Sequence, residues 1–245
     1  MQMTDAIVTS DLLSDALKLN ECQTSQQVND ALVDIVQQLG FDCFLYGGRF
    51  NVDCGVEVEH IESNYKPVWR EYYLAQEFSQ IDPTVLHSVT SLRPLVWSDD
   101  IYSTNAQLEF KEDAVSHGLS YGATFPIHSK DRDVALLSLA LNESGPDSKR
   151  HVQEKLVWGP LIASMTHEAM CRIVKDGHTS KQPILTKREL EVLKWIGAGK
   201  STWEISRLIN ISEHGVIFHV RNLLLKFDVS SRHQAVIKAI TFRLI

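Results

Sequence analysis

Cysteine is scarce. Four residues (Cys22, Cys43, Cys54, Cys171) are scattered through 245 with no C-x-x-C pair. That argues against a thiolate zinc cluster or a disulfide scaffold and points to a reducing cytoplasm. No stretch approaches the roughly 18–20 apolar residues of a membrane span, so no membrane partner is expected. The opening MQMTDAIVTSDLLSDALK has no basic region followed by an apolar one, so no secretory signal is expected. Ten histidines show no metal-ligand spacing, and no metal or other cofactor is expected. Neither an internal repeat nor a low-complexity tract is present. The 44% hydrophobic content suits a packed globular chain.

Charge is present but unevenly spread. The formal net charge is −7. Residues 180–245 hold 11 basic and 5 acidic side chains, a balance of +6, whereas residues 1–179 hold 13 and 26, a balance of −13. Such a split suggests two modules with different partners, the basic one suited to nucleic acid.

The acidic part reads as mixed α and β. Leu12, Leu13, Ala16 and Leu17 suit a helix. Val28, Leu32, Ile35, Val36 and Leu39 recur at helical spacing before a Gly40 stop. Residues 42–50 and 56–62 read as strands. A helix follows with Asn64 as its cap and Pro67 in its first turn. Residues 122–129 and 134–141 form a strand pair across the polar turn SKDRD. A long helix from Gly145-Pro146 to about Val174 is interrupted near Gly159-Pro160. Adjacent strand pairs favour an α+β fold, an α-β-α sandwich with an antiparallel sheet. Residues 175–183 read as a linker. The expected division is 1–174, linker 175–183, and 184–245.

The basic part is all helical, an expected four-helix module. Thr186 with Glu189 and Ser201 with Glu204 form capping boxes, and Gly199 marks a stop. Asn210-Ile211-Ser212 breaks the chain before a helix whose buried stripe is Val216, Val220, Leu223 and Phe227. A fourth helix is expected at about 231–242. Helix, short break, helix is the spacing of a helix-turn-helix, whose second helix enters the major groove. His214, Phe218, Arg221, Asn222 and Leu225 face away from the stripe, with Ile217 at its flank. Arg221 can donate to guanine O6 and N7, and Ile217 can touch a thymine methyl. Lys200, Arg207, Lys226 and Arg232 read as phosphate contacts.

The run LTKRELEVLKWIGAGKSTWEIS and the pattern from Val216 to Arg232 resemble the LuxR-type (GerE-like) DNA-binding domain over about 60 residues. Gly215, Ile217 and Asp228 depart from it, Asp228 replacing a common glycine.

In the acidic part, Tyr65, Trp69 and Tyr73 fall on one helical face, followed by Asp82-Pro83-Thr84 and by Trp97. Taken singly, the aromatic stripe reads as core, Asp82 as a helix cap and Ser138 as an ordinary strand serine. Together they suit an apolar pocket that orients a small amphiphile. Trp69 N–H, Tyr73 O–H and Ser138 O–H can donate to carbonyls, and Asp82 can accept from an amide N–H.

These residues, with NYKPVWREYY, IDPTVLH, LVWSDDIYSTNAQLEF and GLSYGATFPIH, resemble the autoinducer-binding domain of LuxR-type quorum-sensing receptors, especially the LasR and RhlR branch. The resemblance implies an N-acyl-homoserine lactone ligand. It puts Trp69 on the lactone carbonyl, Asp82 on the amide N–H, and Tyr73 and Ser138 on the amide carbonyl. Tyr65 and Trp97 wall the head group, Thr84 supports Asp82, and Gly122 enters a strand.

The implied protein is a homodimeric transcriptional regulator that binds a small autoinducer and pseudo-palindromic promoter DNA, with RNA polymerase as a further candidate partner. The acyl chain completes the core, and apolar positions of helix 149–174 (Val152, Leu156, Leu161, Ile162, Met165, Ile173) supply dimer surface. Alternatives are an orphan receptor for another amphiphile, a phosphorylation-gated regulator, and a lactone-processing enzyme. Gly118-Leu119-Ser120-Tyr121-Gly122 imitates a serine-hydrolase elbow, but the order here is helix, turn, strand, where the elbow needs strand, turn, helix. No catalytic residue is expected.

Overall fold

The computed structural model describes residues 12–53, 56–176, 183–242 and 244–245. Helix α1 is described from 12 to 18, followed by α2 (Ser25–Gln38), β1 (Cys43–Asp53), β2 (Val56–Ser63), α3 (Pro67–Ala75) and α4 (Pro83–Thr90). Then come β3 (Leu95–Val96), α5 (Asn105–Ser116), β4 (Tyr121–His128), β5 (Val134–Leu141), α6 (Pro146–Lys155) and α7 (Gly159–Asp176). The chain ends in α8 (Lys187–Gly197), α9 (Thr202–Leu208), α10 (Glu213–Phe227) and α11 (Arg232–Thr241). Two compact units result, one holding α1–α7 and the sheet apart from residues 51–56, the other holding α8–α11.

The five strands are ordered β2-β1-β5-β4-β3. β1 pairs antiparallel with β5, β5 with β4, and β4 with β3. β5 lies at the centre, which explains why VALLSLAL is apolar except for Ser138 and has both faces buried. Its two faces do different work. Leu137 and Leu139 share their face with Tyr46, Phe44 and Phe125, toward α7, where the Phe125 ring lies against Gly159. Ser138 and Ala140 share the other face with Leu45, Cys43 and Thr124. Cys43 and Ala140 join Tyr65, Trp69, Phe78, Phe110, Ala114 and Leu119 in one buried cluster there.

Three expectations change. Asn64 does not cap α3. Its Oδ1 accepts from Phe44 N–H at 2.7 Å, so β1 claims the side chain, and α3 starts at Pro67 behind Lys66, which makes no side-chain cap bond. Val152 and Ile162, assigned to a dimer surface, are fully buried in their own unit; Leu156, Leu161, Met165 and Ile173 stay partly exposed. Of the expected linker, Lys175 and Asp176 belong to α7, Pro183 is coil, and 177–182 lie outside the described residues.

In the second unit both expected capping boxes form, at Thr186/Glu189 and Ser201/Glu204, and Ser212 accepts from Gly215 N–H at 3.1 Å to start α10. Val216, Leu223 and Phe227 are buried with Val192, Leu193, Ile196, Ile205, Ile209, Ala235 and Ala239. Asp228 closes α10 with a left-handed φ of +49°, the conformation glycine adopts without a Cβ penalty.

Candidate functional site

The first unit brings the expected residues together in two hydrogen-bonded groups on one face of the sheet. Asp82 heads α4 and is 7% exposed. Its Oδ1 accepts from Thr84 N–H and Thr84 O–H, each at 2.8 Å, and its Oδ2 accepts from Tyr73 O–H at 3.0 Å. Burial pushes the Asp82 carboxyl above its ordinary range, while the Thr84 and Tyr73 bonds pull the other way. Asp82 is therefore a helix cap that also holds a desolvated carboxylate beside a phenol.

The second group reaches Ser138 through a residue that sequence reasoning missed. Trp97 Nε1–H donates to Thr124 Oγ1 at 2.9 Å, and Thr124 Oγ1 lies 2.8 Å from Ser138 Oγ. Thr124 and Ser138 are register partners on β4 and β5. When the Thr124 O–H donates its hydrogen bond to Ser138 Oγ, the Ser138 O–H is left to donate outward, and the chain of donors polarises in one direction.

Trp69 and Tyr65 lie in the aromatic cluster between α3 and the sheet. Trp69 is 3% exposed and meets the rings of Tyr72, Tyr73, Phe78, Phe110 and His117 at centroid distances of 5.0–6.2 Å. Its indole N–H makes no hydrogen bond among the described residues. Tyr65, Tyr73 and Tyr102 all carry phenols raised first by burial and then, in part, by the Asp82 charge. Tyr102 is a third phenol near the carboxylate that spacing could not reveal.

The frame around these groups is braced. Gln107 Nε2–H on α5 donates to Ile81 O at 2.9 Å and holds the turn before Asp82. His128 Nε2 meets Ser88 O at 2.7 Å and fastens α4 to β4. At Gly122 a Cβ would collide with the Leu139 carbonyl, so only glycine lets β4 lie this close to β5. The arrangement offers donors and an acceptor at an apolar wall. The serine of the G-x-S-x-G run, Ser120, is engaged by the backbone, its Oγ–H donating to Asn142 O at 2.7 Å.

In the second unit α10 exposes His214, Ile217, Phe218, Arg221 and Leu225. Phe218 is 61% exposed and Leu225 71%. Arg207 lies over the exposed Trp203 ring, 5.8 Å from its centroid, and Lys200 pairs with Glu204 at 3.1 Å. Arg232 is exposed at the start of α11. Lys226, expected at a phosphate, is engaged within its own unit. Its Nζ donates to Glu189 at 2.7 Å and to Ile184 O at 2.9 Å, which ties α10 to the capping box of α8. Two of its three donors are spent inside the unit.

Known proteins repeat both halves. Residues 24–170 match the autoinducer binding domain, and residues 183–239 match the bacterial regulatory proteins of the luxR family. The chain belongs to that family: it is an autoinducer-binding transcriptional regulator of the quorum-sensing class. It is similar to the transcriptional activator protein AnoR of Acinetobacter nosocomialis, at 30% identity over 88% of this chain and 92% of that one. It is also similar to the quorum-sensing regulator RhlR of Pseudomonas aeruginosa, at 30% identity over 90% of each. Among solved structures, Escherichia coli SdiA superposes with a TM-score of 0.74 at 27% identity, covering 97% of this chain and 98% of that one. These relatives are regulators rather than enzymes, and receptors of this family take acyl-homoserine lactone signals without a cofactor.

Proposed function

We propose that residues 1–174 bind an N-acyl-homoserine lactone and dimerise in the cytoplasm, that 175–183 link, and that 184–245 bind promoter DNA and bear on RNA polymerase. The observation that carries the ligand assignment is the buried Asp82 carboxylate, held on two sides by Thr84 and by Tyr73, whose ring centroid lies 5.9 Å from that of the buried Trp69. The ligand amide N–H would join the Thr84 and Tyr73 donors at this acceptor-only group. Trp69 N–H then serves the lactone carbonyl, and Tyr73 and Ser138 the amide carbonyl. Tyr65 and Trp97 flank the ring, and the acyl chain extends the apolar cluster. Binding to the folded state alone stabilises it by mass action.

For DNA, Arg221, Ile217 and His214 face base edges, and Lys200, Arg207 and Arg232 face phosphates. Lys226 holds the unit together and is left out of that set.

A second reading keeps the pocket and changes its occupant. SdiA, at 26% identity and a TM-score of 0.71, is solved in complex with octanoyl-rac-glycerol. The same polar groups can orient a glycerol ester.

The test is to express the full chain with a panel of acyl-homoserine lactones or acylglycerols, extract what stays bound, and identify it by mass spectrometry. One lactone retained in stoichiometric amount, and lost in Asp82→Asn, is the expected result. Retention of an acylglycerol alone selects the second reading. Promoter occupancy identical at every lactone dose overturns the first.

A further inference from the structure

Away from the ligand groups, on the opposite face of the sheet, three different donor types meet. His167 and Cys171 stand one turn apart on α7, and Asp133 enters from the β4–β5 turn. Asp133 and His167 are buried, and Cys171 is partly exposed. Cys171 Sγ lies 3.3 Å from His167 Nε2 and 3.5 Å from Asp133 Oδ2, and the imidazole nitrogen lies 3.9 Å from that oxygen.

Two of those three edges fit a tetrahedron, and the third, from His167 to Asp133 at 3.9 Å, is about 0.5 Å too long and must close when a metal binds. With bonds of about 2.3 Å to sulfur, 2.0 Å to nitrogen and 2.1 Å to oxygen, the corners of a zinc site lie about 3.4–3.6 Å apart. The next layer is in place too. Tyr46 Oη lies 2.8 Å from His167 Nδ1, where it can accept that N–H and leave Nε2 as the ligand. The Phe50 ring stacks on the imidazole at a centroid distance of 5.6 Å, and Ser129 O–H donates to Asp133 Oδ2 at 2.7 Å.

We propose that Asp133, His167 and Cys171 form a binding site for a thiophilic divalent cation of the zinc class, with water at the fourth corner. On binding, the thiol proton leaves to solvent and Sγ gives a lone pair to the metal. Thiolate and carboxylate together balance the ion's two charges. Lys175 is the competitor. Its Nζ donates to Asp133 Oδ2 at 2.6 Å and to Asp131 Oδ2 at 3.1 Å, so the ammonium neutralises Asp133 until a metal displaces it. The metal would pin α7 to the β4–β5 turn. Spacing alone could not find the site, because Asp133 precedes Cys171 by 38 residues.

The experiment titrates chelator-treated full chain, kept with its ligand, with cobalt(II) and back-titrates with zinc(II). A thiolate-to-cobalt charge-transfer band in the near ultraviolet, with intense tetrahedral d–d bands, is expected at one equivalent and disappears on zinc addition. Cys171→Ala should lose the band, and Cys43→Ala should keep it. Lys175→Gln, which removes the competing cation, should bind cobalt at least about tenfold more tightly. Circular dichroism shows that each variant is folded. The proposal is overturned by weak octahedral bands without charge transfer, by a band that survives Cys171→Ala, or by equal or weaker binding in folded Lys175→Gln.

Discussion

Thr124 and Ser138 place their hydroxyl oxygens 2.8 Å apart across the β4–β5 pairing, and Trp97 donates into the same pair. Thr124 is fully buried, so the three side chains act as one polar unit in an apolar face. Thr124→Val keeps the shape and removes the relay. Leaving Trp97 N–H without its partner should cost about 1–3 kcal/mol of stability. A lowered melting temperature, with a right-shifted lactone dose-response in a reporter assay, is the expected pair of readouts. An unchanged dose-response would remove Ser138 from the ligand contacts.

Asp82 should make ligand binding pH-dependent. Burial raises its carboxyl pKa in the folded state. As pH falls through that raised value, the folded carboxyl takes up a proton, one oxygen ceases to be a pure acceptor, and the bond to the ligand amide weakens. For stability without ligand the sign is opposite: a raised folded pKa penalises the fold at high pH, and the penalty fades as pH falls through the folded value. Lactone affinity measured calorimetrically should therefore drop on acidification in wild type, and an affinity that stays flat across that range would remove Asp82 from the ligand contacts.

Lys226 and Arg207 should separate under salt titration. Lys226→Ala leaves Glu189, 3% exposed, without its cation, and should lower the thermal stability of the chain by about 1–3 kcal/mol. Its DNA salt slope should stay as in wild type. Arg207→Ala should reduce the slope of log affinity against log salt by about 0.9 and leave the melting temperature alone. Filter-binding or fluorescence anisotropy across salt concentrations reads both.

Asp228 ends α10 in the left-handed region that most side chains avoid. Asp228→Gly removes the Cβ penalty, which is about 1–2 kcal/mol for an ordinary L residue and smaller for aspartate. A rise in the melting temperature of the full chain is expected, and a fall would show that the carboxylate itself contributes at the cap.

Local signals were legible in the sequence. The Thr186/Glu189 and Ser201/Glu204 boxes, the Gly40 stop and the break near Gly159 concern residues within one turn of each other, and all formed. The Asp82-Pro83-Thr84 cap was equally local. What failed depended on distant partners. Asn64 looked like a cap because nothing in its neighbourhood shows that β1 will claim its amide. Val152 and Ile162 formed an apolar stripe, and periodicity reports such a stripe without saying whether the same chain covers it. Thr124 gained meaning only from its register with Ser138, and β3 has two residues, too few to show any period.

Because one carboxylate both starts α4 and faces the aromatic cluster, the receptor has little freedom to retune its signal there. A mutation at Asp82 that altered head-group choice would also unfasten a helix. Variation in signal preference among descendants of this chain should therefore accumulate along the apolar walls, with the polar anchor inherited unchanged.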